Sequence, residues 1–146
     1  MSLTEQPGGP APHDLIIDQV PATHLDLLHS PLPFVLTTVD TSCRPQSSVI
    51  WAFVDRDGLL KGTTLANRQK YRNLRHNAAC TLVVIDPNDD HRTVEIRADA
   101  ELVPDPDRTT VRAIAPKYGA DPERLGRAPG DRVTMVFRPV KVVTMG

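Results

Sequence analysis

The segment Thr63-Thr64-Leu65-Ala66-Asn67-Arg68-Gln69-Lys70-Tyr71-Arg72-Asn73-Leu74-Arg75 concentrates residue types that hold an anion. Two hydroxyl side chains close a predicted strand, and a short loop leads into a predicted helix whose first turns are heavily basic. Backbone N–H groups at a helix start are unsatisfied, and the helix dipole favours negative charge there. Arg68 and Lys70 meet the positive end of that dipole, which disfavours the helix itself. A bound phosphate would supply the missing partner. An ordinary solvated basic face explains the same charge pattern, and the residues alone leave the two readings level.

A second candidate is Gln46-Ser47-Ser48-Val49-Ile50-Trp51, where small polar residues stand beside a large aromatic. Such a strand offers backbone and hydroxyl hydrogen bonds to a planar ring. Taken alone, Trp51 reads more readily as core packing, and Thr63 and Thr64 as plain strand residues. The histidines His13, His24, His29, His76 and His91 are scattered, and His24 and His29 lack the i, i+4 spacing of a helical metal pair. Asp86 to His91 lacks the glycine and terminal glutamate of an EF-hand loop, so no metal site is expected. There is no GxSxG elbow, Walker loop or GxGxxG fingerprint, and no evident nucleophile or acid–base pair. Chemistry without a protein nucleophile usually belongs to a cofactor.

The elements that must position these residues follow from periodicity and breakers. A short helix after Pro21 carries Leu25 and Leu28 and ends at Pro31 and Pro33. Phe34–Val39 is a β-branched strand, Pro45–Val54 a second strand, and Asp55-Arg56-Asp57-Gly58 a hairpin turn into a third strand over Leu59–Thr64. A helix is predicted over Asn67–Asn77 with Asn67 as its cap. Strands follow over Cys80–Ile85 and Thr93–Glu101, the latter with Val94, Ile96, Ala98 and Ala100 facing inward. Asp105-Pro106 opens a helix to about Ala115, one helical turn follows Asp121, and Val133–Met145 is a final strand interrupted near Pro139. Hairpin connections without a βαβ rhythm predict an antiparallel α+β fold closing as a barrel.

Composition sets the frame. The 146 residues suit one domain, expected over 15–146, with a Gly- and Pro-rich mobile arm over 1–14 that does not read as a signal peptide. A deep cofactor pocket competes with the core for interior volume in so short a chain, and subunit pairing relieves that conflict. The net charge of −1 creates no global field for nucleic acid or an anionic membrane, so neither is an expected partner. No apolar run is long enough to span a membrane, and a soluble, cytoplasmic protein is expected. Cys80 opens an apolar run and reads as a buried thiol, while Cys43 sits in a polar turn; both are expected to be reduced.

Taken together, Arg44-Pro45-Gln46-Ser47-Ser48-Val49-Ile50-Trp51, Asp57-Gly58, Gly62-Thr63-Thr64, Lys70-Tyr71-Arg72-Asn73-Leu74 and Val94-Glu95-Ile96-Arg97-Ala98-Asp99-Ala100-Glu101 resemble the pyridoxamine 5′-phosphate oxidase-like superfamily. Within it the pattern is similar to the F420-binding B group of flavin/deazaflavin oxidoreductases, over roughly residues 22 to 145. The resemblance implies a split β-barrel homodimer with two cofactor sites at the subunit interface. It implies that Gln46, Ser47, Ser48, Val49, Ile50 and Trp51 lie along a ring system. Thr63, Thr64, Arg68 and Lys70 would hold a phosphate, with Arg72 and Asn73 close by, and Thr93 would approach from the partner. The implied function is hydride transfer between coenzyme F420 and a small organic substrate. FMN in the same fold, or a non-catalytic cofactor or tetrapyrrole binder, are the alternatives. The usual glycine of the fifth-strand pattern is replaced by Ala98-Asp99, which puts the local bulge geometry in question. Pyridoxamine phosphate oxidation itself is not expected, because Arg138-Pro139 is a poor echo of that enzyme's C-terminal segment.

Overall fold

A computed structural model describes residues Asp14–Gly146. The expected arm therefore lies almost wholly outside the described residues. Its last residue, Asp14, is buried and accepts a hydrogen bond from Arg138 Nη1 at 2.7 Å.

The described residues form seven strands and three short α-helices: α1 (Leu25–His29), β1 (Phe34–Val39), β2 (Pro45–Ile50), β3 (Ala52–Val54), β4 (Leu60–Leu65), α2 (Gln69–His76), β5 (Ala79–Asp86), β6 (Asp89–Pro104), α3 (Thr109–Ile114) and β7 (Arg132–Met145). The sheet order is β2-β1-β5-β6-β7-β4-β3, and every pairing is antiparallel. Consecutive strands β2 and β3 thus stand at opposite edges of one sheet, joined through Trp51 alone. One residue cannot span a flat seven-stranded sheet with strands about 4.8 Å apart, so the sheet must curl until its edges meet. This is the split-barrel form of an α+β fold. The strand expected over Pro45–Val54 is one continuous run in sequence but two half-strands in space, broken at Trp51.

Alternation drives the pairing. In β1, Phe34, Leu36 and Thr38 are buried, and in β6, Val94, Ile96, Ala98 and Ala100 are buried while Arg97 and Asp99 are exposed. Phe34, Leu36, Val94, Ile96, Ala98 and Ala100 meet Leu28, Ile50, Leu60, Leu74, Leu82, Val84, Met135 and Phe137 in one core. The register of β6 against β7 shifts between Arg97 and Ala98, with Arg97 opposite Lys141 and Ala98 opposite Pro139. Val140 is the extra residue, and it is exposed. A proline donates no ladder hydrogen bond, so the irregularity falls where the strand tolerates it. The bulge belongs to β7, opposite the position where the glycine is replaced. The interruption expected near Pro139 is therefore a bulge within one long strand.

Two boundaries differ from expectation. Helix α2 begins at Gln69, with Arg68 in the N-cap position and extended, and no side chain caps it; Asn67 lies one residue too early to do so. Helix α3 begins at Thr109 instead of Pro106, because the Asp105 carboxylate reaches forward to the N–H groups of Thr109 (2.8 Å) and Thr110 (3.0 Å). The hairpin turn behaves as its residues require: Gly58 has φ +83° and donates its N–H to Asp55 O.

Candidate functional site

The site lies at the seam where β2 passes into β3. Trp51 is outside both ladders and 37% exposed, so it is not the core residue that its type suggested. Its indole stacks on the Tyr118 ring with centroids 4.5 Å apart and planes within 1°. Tyr118 comes from the 3-10 turn Ala115–Tyr118 that follows α3. Its hydroxyl donates to Leu32 O (2.7 Å), lies 3.0 Å from Ala52 O and accepts the Ala52 N–H (3.2 Å). Burial raises the phenol's pKa, while the hydrogen bond at Ala52 pulls the other way. A cavity of about 280 Å³ opens beside the indole, lined by Val49, Ile50, Trp51, Thr63, Ile114 and Leu125. Five of these six residues are apolar, which suits a planar ring or an apolar substrate group.

Thr63 connects this cavity to a cluster of cations. Successive strand residues face opposite sides, so Thr63 faces the cavity while Thr64 is buried on the opposite face of β4. Arg132, at the start of β7, directs Nη1 toward Thr63 Oγ1 at 3.5 Å, longer than a good hydrogen bond. Two buried side-chain nitrogens among the described residues lack a hydrogen-bond partner, Arg108 Nε and Arg132 Nε. Burial, with Arg108 and then Arg68 as like-charged neighbours, lowers the Arg132 pKa against the opposing pull of Asp105. Half-buried Lys70 is likewise held below the ordinary lysine range, first by burial and then by Arg68. Arg68, Lys70 and Arg132 form no ion pair among the described residues, and Asp105 offsets only part of the charge at Arg132. An anion there would satisfy the orphaned guanidinium nitrogen and relieve their mutual repulsion.

The remaining expected residues divide into a scaffold and a distant group. Asn73 is buried; its Nδ2 donates to Thr38 Oγ1 (2.9 Å) and Gln46 Oε1 (3.2 Å), and its Oδ1 accepts from Gln69 Nε2 (2.7 Å). It ties α2 to β1 and β2 and sets the direction of Gln46. Arg72 is engaged by its own helix start, donating to Asn67 O (2.9 Å) and Gln69 Oε1 (2.8 Å). Ser47 Oγ lies 2.8 Å from Thr37 Oγ1, and Ser48 is partly exposed on β2. Val49 is 65% exposed on the β2 edge, and Ile50 is buried though it lines the cavity. Thr93 pairs with Ile85 on β5 and is not among the residues lining the cavity. Thr63 pairs with Thr134, and Thr134 with Val103, ten residues along β6 from Thr93, roughly 30 Å of strand.

Reasoning from sequence missed Arg132, Lys117 and Tyr118. Arg132 falls one residue before the strand expected over Val133–Met145. Lys117 and Tyr118 lie in a connection rich in Pro and Gly, with no periodicity to read. The available signal was an aromatic and a lysine side by side in an otherwise breaker-rich stretch.

The family model for pyridoxamine 5′-phosphate oxidase matches residues 20–146. The chain belongs to that family, whose members share this split barrel. Among solved structures, a protein described as an F420 reductase is 34% identical, with a TM-score of 0.75 over 85% of this chain and 98% of that one. The conserved hypothetical protein Rv2991 from Mycobacterium tuberculosis is 19% identical, with a TM-score of 0.71 over 97% of this chain and 89% of that one. HutZ, the heme storage protein from Vibrio cholerae, is 16% identical, with a TM-score of 0.70 over 88% and 96%. These last two share the fold. Among curated proteins none matches.

Proposed function

We propose that this protein is an oxidoreductase that binds coenzyme F420 and moves a hydride between the deazaflavin and a small organic substrate. The observation that carries this reading is the unpaired cation cluster of Arg68, Lys70 and Arg132, joined through Thr63 to an apolar cavity floored by Trp51. Cations and cavity together match a ligand with an anionic tail and a planar ring. Arg68, Lys70 and Arg132 would hold the phosphate, and the outer face of Trp51 with the Gln46–Ile50 strand would orient the ring. Bound reduced F420 supplies the hydride; the protein excludes water and fixes the approach. Exposed Arg68, Arg72 and Arg75 extend the cationic surface, which suits the polyglutamyl carboxylates that F420 carries and FMN lacks. The 34% identical relative described as an F420 reductase supports the same choice.

A homodimer belongs to this reading. The β2 edge exposes Val49 beside the site, and Thr93, ten residues along β6 from the position level with Thr63, would approach the cofactor from a second copy. A haem-binding reading loses one candidate ligand, since His24 is buried with Nε2 donating to Met145 O at 2.9 Å and Nδ1 2.9 Å from Thr23 Oγ1.

Turnover tests the proposal. The protein is mixed anaerobically with reduced F420 and a panel of electron-poor acceptors, and the absorbance of oxidised F420 is followed. Its return with at least one acceptor, and its loss in Arg132→Ala, is the expected result. Oxidation of reduced FMN in preference to reduced F420 would overturn the cofactor assignment.

A further inference from the structure

Lys117 is half-buried against the Tyr118 ring of the Trp51–Tyr118 stack and has no carboxylate partner among the described residues. Its ammonium donates to Leu28 O at 2.5 Å and to Ala52 O at 2.6 Å. It also lies 5.1 Å from the centroids of both the Phe34 and Tyr118 rings. Burial pushes its pKa down to about 8. A lysine in such a place is unfavourable for folding alone, and an apolar side chain would fill the volume with less desolvation. Lys117 breaks a local rule at the point where the barrel needs its backbone fixed. Trp51 lies outside both ladders, and the peptide after it is held by Lys117 Nζ and Tyr118 Oη converging on Ala52.

We propose that Lys117 is a positioning residue: it pins the Tyr118 ring and the Ala52 carbonyl so that Trp51 presents a preformed stacking platform to a planar aromatic ring. The inference rests on the proposed function only for the identity of that ring. A cation against the Tyr118 face restrains the ring from below, and the carbonyl contacts restrain the chain that carries the indole. A platform ordered before the ligand arrives loses no rotamer freedom on binding. The alternative role, plain packing under α1, would leave the indole's order and the ligand's affinity unchanged once the protein is folded.

The test uses Trp51 as its own probe, since it is the single tryptophan of the chain. Near-UV circular dichroism and acrylamide quenching are compared for the full chain, Lys117→Met and Tyr118→Phe. Lys117→Gln replaces the methionine variant should that fail to fold. The expected result is a collapsed tryptophan band and at least a twofold rise in quenching in the Lys117 variant, with Tyr118→Phe intermediate because it keeps the ring. F420 affinity should fall about tenfold, while pyrophosphate, which needs only the cations, binds unchanged. A folded Lys117 variant with the wild-type tryptophan band and wild-type F420 affinity would overturn the proposal. Should the wild type bind no F420, the function proposed above fails, and the tryptophan band still decides the role of Lys117.

Discussion

The Trp51 indole and the Tyr118 ring are parallel to within 1° at 4.5 Å, across the seam where the sheet closes on itself. One face of the indole is therefore taken by Tyr118, and Trp51 also lines the apolar cavity. Trp51→Ala should weaken F420 binding by about ten- to a hundredfold, corresponding to ~1–3 kcal/mol for one ring stacked on an aromatic side chain. The fold should survive, since the lost aromatic pair contributes only about 0.5–1.5 kcal/mol beyond area burial. Trp51→Phe should recover most of the affinity. Isothermal titration of the three proteins decides the matter, and an Ala variant binding like wild type would remove Trp51 from the site.

Asn73 joins three elements through one amide. Asn73→Ala should lower stability by about 1–3 kcal/mol in urea unfolding, because it removes the partner of the buried Thr38 hydroxyl. Gln46 would lose its restraint in the same step, so cofactor affinity should fall as well. An unchanged midpoint would show that water replaces the amide without cost.

The pH dependence of binding follows from Lys70. Burial and the Arg68 charge hold its pKa below the ordinary lysine value in the free protein. An anion favours the charged ammonium, so affinity is complete below that depressed pKa and is lost as pH rises through it. The loss should begin below the ~10.4 of an ordinary lysine. Lys70→Arg, always charged, should flatten the profile. Kd measured over an alkaline pH series checks this, and a flat wild-type profile would place Lys70 outside the anion site.

The thiols should differ sharply. Burial pushes the Cys80 pKa up to about 12, with Asp99 adding to it, whereas Cys43 is exposed in the β1–β2 turn. At pH 8 an aromatic disulfide reagent should label one thiol per native chain and a second only after unfolding, because the thiolate is the reactive form. Rapid labelling of both would contradict the burial of Cys80.

Much of this architecture is legible in the residues. The strands announce themselves through alternation, as in Val94, Ile96, Ala98 and Ala100, and through Asp57-Gly58 at a hairpin. Basic residues at a helix start likewise mark Arg68 and Lys70. Long-range placement is not written locally. Nothing in Pro45–Val54 tells that the strand changes sheet edge at Trp51, since both halves have strand propensity and the closure is set by pairing partners far away. For the same reason Arg132 and Tyr118, distant in sequence, join the site only through the β4–β7 pairing and the turn after α3. The start of α3 moved because the Asp105 carboxylate competes for N–H groups four and five residues ahead, leaving Arg108 left-handed at φ +58°.

In the function proposed above, Arg68, Lys70 and Arg132 bind the phosphate of a deazaflavin cofactor. Its most direct test is a fluorescence titration of the purified protein with F420, run beside FMN, for wild type, Lys70→Ala and Arg132→Ala. The expected result is tight F420 binding that weakens with salt, a preference over FMN, and a loss of about tenfold or more in each variant, as for removing one charge-assisted hydrogen bond. Stronger binding of FMN, or F420 binding indifferent to both substitutions, would contradict it.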